Sequence, residues 1–226
     1  MKRILLFALG TIACISLAAQ TVEVKDTVCV TYEFSDPNPV PQPDNVYPYH
    51  KFETFAFEPT QKQYKMVVLE NDWLRVKIFP EIGGKIWSIY DKTQGKEMFY
   101  DNDVVKFREI ALRGPWTSGG IEFNYGVIGH APSCAHPVDY KVETKEDGSV
   151  SCYIGVMELL SRTRWMVEIN LPKDAVWVRT RSFWHNYSGD FQPYYTWANS
   201  GVKVTDDMEL IYPGTYTIGH DGETTP

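Results

Sequence analysis

Between Arg113 and His130 the chain gathers a guanidinium, an indole, a carboxylate, a carboxamide and an imidazole on one glycine-supported stretch: Arg113, Trp116, Glu122, Asn124 and His130. Planar donors and acceptors of this kind match hydroxyl groups, and an aromatic face matches a patch of C–H bonds. Together they suit a sugar. His130 and Glu122 are also the residue types that move protons. The stretch runs Gly114-Pro115-Trp116-Thr117-Ser118-Gly119-Gly120-Ile121-Glu122-Phe123-Asn124-Tyr125-Gly126 and on to Gly129-His130-Ala131-Pro132. Loops of this size inside a domain carry function or need special support. A plainer account fits the same residues: Glu122 pairs with Arg113, and His130 caps a turn.

A second group lies on one predicted strand, 176–185. Trp177, Arg179, Arg181, Phe183 and His185 share one face by the two-residue period, and Val176, Val178, Thr180, Ser182 and Trp184 share the other. The small, β-branched side is expected in the core and the arginine side in a groove, with Arg162 and Arg164 joining from the neighbouring strand. The alternative is a solvated face whose arginine stems cover tryptophan. A third group, Tyr194-Tyr195-Thr196-Trp197-Ala198-Asn199-Ser200, adds Trp197 and Asn199. All three groups are expected to converge on one shallow trough, with His130, His185 and Glu122 as the candidates for acid–base work.

Composition narrows the partners. The net charge is −7, and no basic stripe is present to meet a phosphate backbone, so nucleic acid is excluded. An aromatic fraction of 14 % leaves rings for a carbohydrate-type surface after a core has been built. There is no phosphate loop, no Gly-x-Ser-x-Gly elbow and no His-Glu-x-x-His, and the cysteines do not fall in a zinc pattern; no cofactor or metal is expected. Glu122 with Asp139 or Glu143 is a conceivable glycosidase pair only if the fold sets the right separation.

Residues 1–20 read as an export signal: Lys2 and Arg3, an apolar run from Ile4 to Leu17, then Ser16-Leu17-Ala18-Ala19. The run is short for a membrane span, so no integral span is expected once the signal is removed. The expected location is secreted or periplasmic. Cleavage near Ala19 leaves Cys29, Cys134 and Cys152. A Cys134–Cys152 disulfide and three reduced, packed cysteines are both open.

The remaining pattern is that of short strands. Leu74, Val76 and Ile78 alternate with Arg75 and Lys77, Pro80 ends the run, and Gly83-Gly84 permits a reversal before Ile86, Trp87, Ile89 and Tyr90. Lys145-Glu146-Asp147-Gly148-Ser149 separates 138–144 from 150–157, a clear hairpin. Further strands are expected over 162–170, 191–198, 201–205 and 208–212. Residues 21–32 read as a leading strand, and Pro37, Pro39, Pro41, Pro43 and Pro48 as an extended path over the surface. Tyr47, Tyr49, Phe52, Phe55 and Phe57 are expected to cover a flank. The fold class is all-β, an antiparallel sandwich, organised as 1–20 signal, 21–60 extended Pro-rich segment and 61–226 sandwich domain.

Leu74-x-Val76-x-Ile78-x-Pro80-x-x-Gly83-Gly84-x-Ile86-x-Ser88-Ile89-x-Asp91-Lys92-x-x-Gly95-Lys96-Glu97, followed by Arg113-Gly114 and Gly129-His130, resembles the galactose mutarotase-like (aldose epimerase-type) superfamily over 65–212. The resemblance implies a β-supersandwich, left incomplete at the C-terminus of this chain, and a carbohydrate partner. By position it implies that Arg113 binds sugar hydroxyls and that His130, or else His136, lies in the cleft. The Asn-His-(Ser)-Tyr run of aldose epimerases is not matched, since Trp197 and Ala198 stand where its histidine belongs. Sugar binding is therefore implied more strongly than epimerase catalysis, and a structural β-domain that only docks other domains is the third reading. The chain is similar to an uncharacterised secreted subfamily often followed by tetratricopeptide repeats.

Overall fold

Period-2 alternation becomes two packed sheets. The computed structural model describes residues 20–40, 51–109, 114–126, 130–158, 161–219 and 222–225. The expected signal (but for Gln20), Pro41 to Tyr49 and Arg113 lie outside the described residues. In chain order the strands are β1 (Thr21–Tyr32), β2 (Thr60–Glu70), β3 (Leu74–Phe79), β4 (Lys85–Asp91), β5 (Lys96–Glu97), β6 (Val105–Lys106), β7 (Arg108–Glu109) and β8 (Pro115–Trp116). They continue with β9 (Ile121–Gly126), β10 (Asp139–Thr144), β11 (Val150–Glu158), β12 (Thr163–Leu171), β13 (Arg179–Asn186), β14 (Tyr195–Ser200), β15 (Thr217–Ile218) and β16 (Thr224–Thr225). A single 3₁₀ turn, Pro132–Ala135, is the helical element among the described residues.

The large sheet runs β14-β9-β4-β3-β2-β1-β6, with β5 added to β4; the small one runs β10-β11-β12-β13. Neighbours are antiparallel except β1 and β6. β1 pairs with β2 along nearly its whole length, so the sandwich takes in Thr21 onward and does not begin at 61. Between the sheets lie Val67, Leu69, Leu74, Val76, Ile78, Ile86, Phe123 and Tyr125, facing Val150, Cys152, Ile154, Trp165, Val167, Ile169 and Leu171. The outer face of the large sheet carries a second apolar cluster of Tyr64, Met66, Val68, Phe79, Ile82, Trp87, Val105 and Phe107. Phe52 seals its flank edge-on to Phe34, with ring centroids 5.4 Å apart.

The Gly83-Gly84 reversal forms as expected, with φ of 65° and 69°. Residues 201–205 and 208–212, expected as strands, instead run outside any ladder, because no strand among the described residues lies alongside them; Val204, Ile211 and Tyr212 point outward. The Cys134–Cys152 disulfide is also absent, and Cys29, Cys134 and Cys152 are free thiols. Cys152 belongs to the inter-sheet core, whereas Cys134 sits in the 3₁₀ turn and donates its Sγ–H to the Pro115 carbonyl at 3.4 Å. Burial pushes the Cys152 thiol up to about 12, and the Cys134 thiol higher still.

A reductant leaves the melting temperature unchanged, and Cys134 and Cys152 react with a thiol reagent only after unfolding; a Tm that falls on adding dithiothreitol contradicts this. Gly120, at φ 57°, brings its backbone so close to β4 that a Cβ would stand 2.1 Å from the Ile86 carbonyl oxygen. Gly120→Ala is expected to cost at least about 2 kcal/mol in urea denaturation.

Candidate functional site

On β9, Phe123 and Tyr125 point inward, so Glu122 and Asn124 point outward. The two polar side chains are nonetheless buried, at 4 % and 0 % exposure, because the segment 130–131 and the β8 region fold over them. Glu122 Oε1 accepts from Asn124 Nδ2 at 2.6 Å and from His130 Nδ1 at 2.6 Å. Asn124 Oδ1 in turn accepts the Ala131 amide at 2.8 Å. A carboxylate only accepts, so His130 Nδ1 is the donor of this bond, and the imidazole is fixed by it at the edge of the cleft. Burial pushes the Glu122 carboxyl up, but the hydrogen bonds from His130 and Asn124, then the charges of His130 and Lys85, hold it below the usual carboxylate range.

The imidazole lies beside two indoles. Trp197 is 5.0 Å away between ring centroids, and Trp116 is 6.4 Å away, edge-on at 69°. Trp197 and Asn199 arrive on β14, registered against Asn124 and Glu122. Lys85, at the head of β4, closes the floor at 3 % exposure. Its Nζ donates to the Thr117 carbonyl at 2.6 Å, to Thr117 Oγ1 at 3.3 Å and to the Ser118 carbonyl at 3.1 Å. Burial pulls the ammonium down to about 8, against the opposing pull of Glu122. The result is a cleft of about 410 Å³ lined by Lys85, Tyr100, Trp116, Ser118, Glu122, His130 and Asn199, among others.

Of the residues singled out in the sequence, Trp116, Glu122, Asn124, His130, Trp197 and Asn199 come together. Arg164, Arg179, Arg181 and His185 do not join them, so the single trough is corrected to two separate surfaces. The reason is again the alternation. Ser182 turns inward to take the Tyr125 hydroxyl, so Arg181 and its period-2 partners project from the outer face of the small sheet, across the sandwich from Glu122. Trp177 stands just before β13, half-exposed beneath Arg179. His136, the alternative to His130, is not in the cleft; its ring lies edge-on to Phe34 at 5.8 Å. Lys85 and Tyr100 were not singled out in the sequence. The signal for Lys85 was a charged residue directly before the buried strand Ile86-Trp87-Ser88-Ile89.

The cleft and its carrier define a class: an all-β sandwich with a polar, aromatic-walled site on the outer face of its larger sheet. The chain belongs to the family described as a domain of unknown function, DUF5107, which matches residues 41–226. It is similar to the crystal structure of a TPR-domain containing protein from Parabacteroides distasonis ATCC 8503, at 29 % identity and a TM-score of 0.74. The match covers 80 % of this chain and 32 % of that one, so this chain spans about a third of that protein's length.

Among the described residues no group of His, Cys, Asp and Glu fits a metal ion, and no helix is long and apolar enough to cross a membrane.

Because Glu122 is held ionised in the folded state, it adds stability above the unfolded carboxyl value of 4.5, and that contribution disappears as pH falls through its lower folded value. Glu122→Gln should flatten the loss of stability on acidification below pH 4.5, read from urea midpoints. An acid limb identical to that of the parent protein contradicts the assignment.

Proposed function

We propose that the cleft binds carbohydrate, and that the chain is the sugar-recognising domain of a glycan-binding or glycan-processing protein. One observation carries this: His130, oriented by the buried Glu122, lies beside two indoles in a cleft that Asn199 also lines. Aromatic faces meet the C–H side of a pyranose, while imidazole and carboxamide meet its hydroxyls. The resemblance to galactose mutarotase-like proteins supports the same ligand class. Export through residues 1–20 belongs to this reading.

The Glu122–His130 pair favours a second reading, proton transfer at an anomeric carbon. An imidazole fixed by a buried carboxylate is an acid–base group, although the segment 194–200 offers no second histidine. Tetratricopeptide repeats in a longer parent chain are part of the proposal as well. They are supported by the named domain of the similar Parabacteroides protein and by the outward apolar side chains at Val204, Leu210, Ile211 and Ile218.

The test is binding to a glycan array followed by calorimetry. His130→Ala and Trp197→Ala should each weaken the best ligand by roughly 1–3 kcal/mol. Equal affinity in both variants and the parent protein overturns the site, and a mutarotation assay on aldoses decides whether the cleft also catalyses.

A further inference from the structure

The outer face of the small sheet holds residues the cleft does not use. Arg179, Arg181, Phe183 and His185 alternate along β13, and Arg164 stands opposite His185 on β12. The Arg179 guanidinium lies over Trp177 at 5.1 Å, and that of Arg181 over Phe183 at 5.7 Å. Among the described residues, none of the three arginines forms an ion pair. Arg181 registers against Glu168, but no ion pair forms between them; Lys145, Ser151 and Tyr153 all bond Glu168 Oε1. Glu143 is likewise taken by Lys141 at 2.9 Å. A row of unpaired guanidiniums on a chain of net charge −7 is a charge pattern that calls for an anion.

β13 is an edge strand, and charges commonly guard edges against pairing with other chains. The opposite edge, β10, shows what such a guard needs. Asp139, Lys141 and Glu143 are of mixed sign, with Lys141 and Glu143 neutralising each other. The β13 charges are of one sign and stay open.

We propose that this face binds an acidic polysaccharide bearing uronate carboxylates. The guanidiniums supply bidentate donors to carboxylates, and the rings beneath them supply flat apolar contact for sugar C–H faces. From Arg179 to His185 the row extends roughly 20 Å, several units of an extended polymer. It continues past Arg164 into a cleft of about 340 Å³ lined by Tyr153, Gly155 and Met166, whose far side carries Asp139 and the paired Lys141 and Glu143. An acidic peptide would use the arginines but has no need of the aromatic faces between them. This surface shares with the cleft only the general class of ligand.

The experiment is affinity electrophoresis of the purified chain in gels containing polygalacturonate or alginate, with dextran and poly-L-glutamate as controls. Retention by a uronate polymer, weakened by added salt, is expected. In Arg179→Ala/Arg181→Ala the dissociation constant should rise by at least about tenfold. Arg164→Ala should show a smaller rise. His130→Ala and Trp197→Ala should be retained like the parent protein, which separates this surface from the cleft. Equal thermal melts for the exposed arginine variants confirm that they fold. The proposal is overturned if neither uronate polymer retards the protein, if poly-L-glutamate retards it as strongly, or if the double variant migrates like the parent.

Discussion

The stacking of Tyr125 on Trp165 is the contact on which the site depends. The two rings lie 12° from parallel with centroids 5.0 Å apart, one from each sheet, at the centre of the inter-sheet core. A strand has two faces and a strict period. Once Tyr125 is committed inward, Phe123 must follow, and Glu122 and Asn124 have only the outer face left. The same contact reaches the other sheet through the Tyr125 hydroxyl on Ser182, which commits Arg181 to the opposite outer surface. One interior pair therefore determines both the composition of the cleft and the exclusion of the arginines from it.

Burying an ionised carboxylate and an ammonium a short way apart carries a desolvation cost that mutual attraction alone does not cancel. The structure meets it with hydrogen bonds. Glu122 has two donors on one oxygen, and Lys85 spends its donors on Thr117 and Ser118, so each charge also ties down backbone. Lys85 thereby holds one wall of the cleft, while Asn124 holds the other through the Ala131 amide. Gly119 and Gly120, both at positive φ, let the intervening chain pass against Tyr100 and Ile86 where a side chain would collide. The site is rigid because its charges are used twice, once for the ligand-facing geometry and once for the loops.

Much of this was legible in the sequence because it is local. The alternation in 74–78, the Gly83-Gly84 reversal and the turn 145–149 each state their conformation within a few residues. So did the grouping of Trp116, Glu122, Asn124 and His130, which a glycine-rich stretch keeps close in space. What failed required knowing which face a distant strand shows. The alternation holds within β13, from Arg179, and Val178 and Trp184 pack on the core, but Val176, Thr180 and Ser182 are exposed, and periodicity does not say which surface the polar side shares. Lys85 was missed because a lysine at the head of a strand looks like an ordinary solvated end. Its burial comes from β8, far along the chain. The 201–212 stretch has strand-like composition, but a strand is made by a neighbour, and the described residues supply none.

The two outer surfaces differ in a way that follows from their sheets. The large sheet buries much of its outer face beneath the aromatic cluster of Tyr64, Phe79, Trp87 and Phe107, so its polar site is a notch beside an apolar cover. Among the described residues no second layer covers the small sheet. Its outer side chains keep water on one side, and a ligand there must be long to gain enough contact. A notch whose polar groups are fixed, as His130 is by Glu122, can select by the direction of its hydrogen bonds. An open face must rely on charges spread over length, where each contact is screened and only their number gives hold. The buried, hydrogen-bonded Glu122–His130 pair and the arginine row, which forms no ion pair among the described residues, are the two electrostatic arrangements these outer faces carry.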